Sequence, residues 1–164
     1  MTPTHPPSAP VPLHVVLVAP EIPWNTGAIG RTCVAAGARL HLVRPLGFTL
    51  DERRLRRAGL DYWSAVDLRV WDRWEDLEER LDDLGSPWFF SAEGERSLWQ
   101  TDFGASPVLV FGSETSGLPP GIRRRYRDSL LSVPMEPGPV RSLNLSNTVA
   151  IAAFEARRQL GIDA

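Results

Sequence analysis

The sequence predicts an α/β fold: a parallel sheet covered by helices on both faces, within one domain. Three observations predict it. Short, continuously apolar runs alternate along the chain with segments of helical periodicity. Three of those runs lead into polar, glycine-bearing loops, as strands of an open sheet do where a ligand binds beyond their carboxyl ends. The length of 164 residues and a hydrophobic content of 43% suffice for one buried core.

The elements follow in order. Residues 1–12 carry five prolines and little that packs, and read as a disordered, partly polyproline-II tail ahead of a single domain at 13–164. Leu13 to Ala19 (LHVVLVA) is a buried parallel strand. Asn25 or Thr26 can cap a helix that runs to about Ala36 and stops at Gly37. Arg39 to Val43 is the second strand. Leu50 to Ala58 is a short arginine-rich helix ending at Gly59, and Val66 to Val70 is a brief strand. Trp74, Leu77, Leu81 and Leu84 recur at spacings of three and four, one apolar stripe on a single acidic helix. Trp88 to Ser91 and Pro107 to Gly112 are strands, Gly121 to Arg127 a basic helix, and Ser129 to Pro134 a further strand. The last helix spans Ser146 to Leu160, with Ser146 as cap and Gly161 as stop.

Composition narrows the function classes. No apolar run approaches the ~20 residues that cross a bilayer, and no basic region precedes an apolar stretch at the N-terminus. Cys33 is the only cysteine, which excludes an internal disulfide and fits the reducing cytoplasm. His5, His14 and His41 lack metal-ligand spacing, so no metal site is expected. Net charge is −2, yet all 18 basic residues are arginine and they cluster. Arg53, Arg54, Arg56 and Arg57 form one group; Arg123, Arg124, Arg125 and Arg127 form another. Such groups are either solvated helix faces or local grips for nucleic acid.

The polar loops hold the candidate chemistry. The first, EIPWNTGAIGR (Glu21 to Arg31), has no G-x-G-x-x-G and no Walker lysine, which argues against a dinucleotide or P-loop site. Its Asn25 is either a helix cap or a ligand-facing amide. The second, GSETSGLP (Gly112 to Pro119), has glycines that permit close backbone approach; the plain alternative is a surface turn with Glu114 at its tip. The third, VPMEPGPVRSLNLSN (Val133 to Asn147), offers Ser142, Asn144, Ser146 and Asn147, more polar groups than one helix cap needs. The alanines that follow suit a buried interface or core packing equally.

In order and spacing these loops resemble the three signature motifs of the SPOUT-class RNA 2′-O-methyltransferases. The pieces PEIPWNTG, RPLGFTLDERRLRRAGLDYW, FGSETSGLP and SLNLSN carry the resemblance, which covers about Leu13 to Gly161. The second piece is similar to the short, single-domain TrmL-type group, which methylates a wobble cytidine or uridine in leucine tRNAs. The resemblance implies a C-terminal trefoil knot, which pattern reasoning alone would not propose. It implies an S-adenosylmethionine site at Ser91, Gly112, Glu114, Val133, Ser142 and Leu143, and no metal. It implies substrate handling by Arg31, Asn25 and Asn144, a tRNA substrate, and a homodimer built on the first and last helices. Ser146 matches a further polar motif position. Arg53, Arg54, Arg56 and Arg57 would then grip anticodon-stem phosphates. Tyr62 and Trp63 read as core aromatics, or as stackers on an unpaired base.

The chain departs from the family pattern at Trp24 (commonly proline), Ala28 (asparagine), Ser116 (arginine) and Leu143 (methionine). These leave the reaction type untouched and bear on substrate choice. Arginine stays protonated, so Arg31 is expected to bind a phosphate and polarise the hydroxyl rather than act as a base. The rival readings are the same chemistry on ribosomal RNA or another tRNA position, and a catalytically silent dimeric RNA-binding module.

Overall fold

The structure, a computed structural model, describes residues 11–51, 53 and 61–162. Most of the proline-rich tail and most of the 50–58 helix expected from the sequence lie outside the described residues, as do Arg54, Arg56 and Arg57. The strands are β1 (His14–Val18), β2 (Arg39–Val43), β3 (Leu68–Trp71), β4 (Ser86–Phe90), β5 (Arg96–Ser97), β6 (Pro107–Phe111) and β7 (Leu130–Ser132). The helices are α1 (Pro23–Ala36), α2 (Trp74–Glu78), α3 (Leu81–Leu84), α4 (Pro120–Arg125) and α5 (Leu145–Gln159). All strands pair in parallel, in the order β3-β2-β1-β6-β4-β7-β5.

Alternation along each strand sends side chains to opposite faces. Val15, Leu17, Leu40, Leu42, Leu109 and Phe111 pack on one face with Ile29 and Cys33 of α1 and Val149, Ala152, Ala153 and Ala156 of α5. Val16, Val18, Phe89, Val108 and Val110 pack on the other with Leu77, Leu81 and Ile122, from α2, α3 and α4. Burying a Val or Leu side chain contributes ~1.5–3 kcal/mol, which is why the central strands are apolar on both sides. The expected architecture is therefore present. The alanines of α5 serve the core: three of them are fully buried, and the small side chains let α5 lie close on α1. Arg157 Nη1 donates to the Ala36 carbonyl at 3.0 Å, satisfying an orphan acceptor at the end of α1.

Three local expectations need correction. The acidic 74–84 segment is two short helices, with Arg80 breaking the run at φ −102°, although Leu77 and Leu81 keep the expected buried stripe. The cap of α1 is Ile22 rather than Asn25 or Thr26, and Pro23 opens the helix where no N–H is needed. The cap of α5 is Asn144 rather than Ser146: its Oδ1 accepts from the Ser146 amide at 2.9 Å. Strand β5 was not expected; two residues carry too little periodicity to read. Gly37 and Gly161 terminate α1 and α5 in the left-handed region, as the sequence predicts, at φ 70° and 67°.

Strand β7 lies between β4 and β5, which precede it in the chain. The C-terminal strand thus enters a gap framed by an earlier loop. Gln159 then ties α5 to the connection between β5 and β6, accepting from the Phe103 amide and donating to the Thr101 carbonyl, both at 2.9 Å.

A polar chain crosses the second face. Trp71 Nε1 donates to His41 Nδ1 at 3.0 Å, so His41 carries its proton on Nε2 and donates to His14 Nδ1, also at 3.0 Å. Burial, then the charge of Arg39, pushes the His14 pKa down to about 4, and burial followed by His14 itself holds His41 well below the usual imidazole range. Both rings are neutral in the fold, whereas an unfolded imidazole has a pKa near ~6.5. The unfolded chain therefore binds more protons between those values. Stability is complete above about pH 6.5 and falls as pH drops toward 4. At pH 5 the loss from His14 alone is about 2 kcal/mol. Urea midpoints at pH 7.5 and 5.0 measure it: the midpoint falls in the native protein, and most of the difference disappears in a variant carrying both His14→Gln and His41→Gln. Equal midpoints in the native protein would refute the neutral pair.

Candidate active site

The sheet reverses direction of growth between β1 and β6: the chain builds outward from β1 to β2 and β3, then crosses to the other side. Ligands of open α/β sheets bind at such a point, beyond the carboxyl ends of the strands. The loops after β1, β4, β6 and β7 meet there around a cavity of about 950 Å³.

A single carboxylate assembles the cavity wall. Glu114, in the loop after β6, accepts from the Glu21 amide at 2.8 Å, the Ile22 amide at 3.0 Å and Asn25 Nδ2 at 3.3 Å. It thereby supplies from 92 positions away the negative group that the start of α1 lacks. Asn25 is 6% exposed, and its Oδ1 accepts from Asn144 Nδ2 at 3.1 Å. Asn144 Oδ1 accepts in turn from the amide and hydroxyl of Ser146. The chain Glu114–Asn25–Asn144–Ser146 fixes both amide orientations and joins all three polar loops. A second tie sits beside it: Thr115 Oγ1 donates to Glu21 at 2.6 Å, and this bond is the main cause of the depressed Glu21 pKa.

The glycines of the second loop serve close approach. Ser113 and Gly117 exchange backbone hydrogen bonds of 3.1 and 3.0 Å, with Gly117 at φ 66°. A Cβ on Gly112 would lie 2.0 Å from the Gly117 carbonyl carbon, so no other residue fits. Gly47, after β2, is equally confined: its Cβ would lie 2.6 Å from the Glu21 carbonyl oxygen.

The third loop is built differently. Among the described residues, no hydrogen bond involves Pro134 to Leu143. Three of these ten residues are prolines without an N–H; the other backbone donors and all the carbonyls are uncommitted within the chain, and the loop lines the cavity. Backbone groups in that state take their partners from water or a ligand. Phe90, Phe111 and Leu131 supply an apolar floor beneath them. An apolar floor under a wall of free amides and carbonyls suits a flat, hydrogen-bonding ligand such as a nucleoside.

Of the site residues read from the sequence, Asn25, Ser91, Gly112, Glu114, Val133, Ser142, Leu143 and Asn144 all line this cavity. Arg31 does not. It lies about 9 Å further along α1 and on another side of the helix, exposed, with its guanidinium 5.8 Å above the Tyr62 ring. Arg53 is exposed and away from the cavity, its amide donating to Asp51 at 2.9 Å. Trp63 is a core residue at 5% exposure, packed against Gly30, so it stacks on no base. Tyr62 is half-buried and donates to the Gly27 carbonyl at 2.8 Å; burial raises its pKa. The sequence reading missed Arg123, which reaches the cavity and pairs with Glu93 at 2.9 Å. The only available signal was its place in an arginine cluster. Removing the Glu114 carboxylate in Glu114→Ala strands two backbone donors and the Asn25 amide. The expected destabilisation is about 1–3 kcal/mol by chemical denaturation, with weakened binding of any cavity ligand; a native-like midpoint would contradict the account.

Comparison with known proteins agrees with this construction. The SpoU rRNA Methylase family profile matches residues 12–154. A Bacillus subtilis protein is 49% identical over 152 residues, spanning 91% of this chain and 94% of its own. The tRNA (cytidine(34)-2'-O)-methyltransferase of Burkholderia ambifaria is 45% identical over 152 residues, spanning 92% and 97%. A solved structure concerned with 2-OH methylation of C/U34 on tRNA superposes with a TM-score of 0.84 at 49% identity, covering 93% of this chain and 99% of that one. The AdoMet-bound rRNA methyltransferase from Sinorhizobium meliloti gives 0.79 at 30% identity, covering 90% and 56%. From the loop order, the cavity and a profile that spans nearly the whole domain, the chain belongs to the SpoU rRNA methylase family.

Proposed function

We propose that the chain transfers a methyl group from S-adenosylmethionine to the ribose 2′-hydroxyl of the wobble nucleotide, cytidine or uridine 34, of tRNA, leucine tRNAs among them. It acts as a homodimer in the cytoplasm, and the trefoil knot of its family runs through the C-terminal segment. The observation that carries the reading is the cavity itself: three signature loops, locked by Glu114–Asn25–Asn144, present uncommitted backbone groups over an apolar floor. Relatives that match over nine-tenths of the chain bear the names of this reaction.

The residues present fit the cofactor. The apolar floor and the free amides and carbonyls of the 134–143 loop suit an adenosyl group, and Ser91, Gly112, Val133, Ser142 and Leu143 would hold it. When bound, S-adenosylmethionine would supply an electrophilic methyl on a sulfonium to the ribose oxygen, the carbon–sulfur bond breaking to leave the thioether and the hydroxyl proton passing to solvent water. The protein's part is alignment, which can supply several kcal/mol, up to roughly 7–11 in ideal cases. Asn25 and Asn144 have fixed, opposed amides at the mouth, and they orient rather than take the proton. The Glu114 carboxylate is spent on three donors and is not a base. A guanidinium fork matches a phosphate bidentately, so Arg31 anchors the phosphate next to the target ribose and polarises its hydroxyl.

Arg31 does not line the cavity of its own chain, and the homodimer resolves this. Val34 on α1 and Phe154 on α5 are exposed at 38% and 47%, with Ile151 half-buried beside Phe154 on the same helix. Packing that pair of helices on its copy covers these apolar side chains and carries each Arg31 to the partner's cavity. Arg53, Arg54, Arg56 and Arg57 grip phosphates of the anticodon stem.

The founding experiment incubates the protein with S-adenosylmethionine and unmodified tRNA and looks for 2′-O-methylcytidine and 2′-O-methyluridine by mass spectrometry. Appearance of either at position 34 is expected; methylation confined to ribosomal RNA would move the substrate, and no methylation of any RNA would refute the activity. Arg31→Lys should stay at least tenfold impaired, since lysine lacks the fork. The shared site is tested by mixing inactive Arg31→Ala with inactive Asn144→Ala. A mixed dimer contains one site with both defects and one with neither, so activity returns; no recovery after confirmed subunit exchange would place Arg31 in its own chain's site. Each arginine removed from the 53–57 group should lower the salt slope of tRNA affinity by about 1.

A further inference from the structure

Trp24 is the most exposed tryptophan of the protein, at 77%, and it sits in the first turn of α1, one residue before Asn25. Its neighbours Ile22 and Asn25 line the cavity, while its own ring leaves α1 about a hundred degrees round the helix from Asn25. Among the described residues nothing pairs with the indole: no hydrogen bond, no ring and no cation. Trp63, by contrast, is buried in the core. Leaving so large an apolar ring in water is costly, and the fold gains no packing from it.

The face that Trp24 occupies is specific. Trp24, Ala28 and Arg31 follow at spacings of four and three, and all three are exposed. The small Ala28 lies between Trp24 and Arg31, whose backbone positions are about 10 Å apart along the helix axis. Arg31 is braced over Tyr62, whose hydroxyl is in turn fixed to the Gly27 carbonyl. An unpaired aromatic beside a braced guanidinium matches single-stranded RNA, which offers flat bases and phosphates in alternation. Trp24 itself lies ten residues N-terminal to Val34 on α1, about 15 Å along the axis, in the turn that also carries the cavity-lining Asn25.

We propose that Trp24 is a stacking platform for an unpaired RNA base at the mouth of the site, setting how the target nucleotide is held. The proposal rests on the RNA methyltransferase reading above. Trp24→Ala is expected to raise the KM for tRNA about tenfold, with the KM for S-adenosylmethionine and the dimer mass by light scattering unchanged. Trp24→Phe, which keeps a ring, restores most of the loss. An anticodon stem-loop RNA should quench the part of the fluorescence that native protein has and Trp24→Phe lacks. An unchanged KM for tRNA in Trp24→Ala overturns the proposal, as does conversion of that variant to a monomer, which would make Trp24 a subunit contact. Quenching by the stem-loop without methylation of tRNA keeps the platform and rejects the wobble-methylation reading instead.

Discussion

The Glu114 carboxylate is the constraint on which the site depends. Three donors converge on it from the opposite side of the strand reversal, two backbone amides and the Asn25 side chain. Charge-assisted bonds to a partly buried carboxylate are among the stronger hydrogen bonds, and this one performs two tasks. It completes the N-terminus of α1, which starts with no capping side chain of its own. It also sets the polarity of everything downstream. Asn25 must point its amide nitrogen at Glu114, so its oxygen faces Asn144; Asn144 must then turn its oxygen to Ser146. One carboxylate thus decides the orientation of two amides that could otherwise flip.

This division of labour explains the chemistry of the rest of the cavity. The first two loops spend their polar groups on each other and are rigid by construction. The third spends none between Pro134 and Leu143, and three prolines limit how that backbone can collapse. A stiff frame facing an uncommitted loop is what a ligand bound mainly through backbone groups requires. Apart from Ser132 at the end of β7, the sheet beneath contributes apolar floor: Phe90, Phe111 and Leu131.

The sheet was legible because its signal is dense: continuous apolar runs such as HVVLV and PVLVF admit little else between turn residues. Helix ends were less so. Reading Asn25 as a cap assumes that a helix start is satisfied locally, and here the satisfying group is 92 residues distant. The two-helix break at 79–80 was hidden because the apolar stripe persists through it. Motif resemblance found all eight cavity-lining candidates but could not say that Arg31 stands apart from them, since sequence spacing fixes a helix face and not the neighbour it meets. Arg123 was visible only as charge; its pairing with Glu93 depends on a crossover that no local pattern encodes.

The position of Arg31 then constrains the assembly. Of the cavity's polar side chains, Glu114 is committed to three donors, Asn25 and Asn144 to each other, and Arg123 to Glu93. Among the described residues that line the cavity, Arg141 of the third loop is the cation left without an ion pair or hydrogen bond. Arg31 is a further cation, outside the cavity on a helix whose other exposed members are Trp24, Ala28, Val34 and Ala35. In the proposed homodimer, that exposed guanidinium, in company with apolar and small side chains, is what α1 offers to the partner's cavity. With Asn25 committed inward and Arg31 outward on the same fourteen-residue helix, a single element closes its own site and, in the proposed homodimer, would complete its partner's.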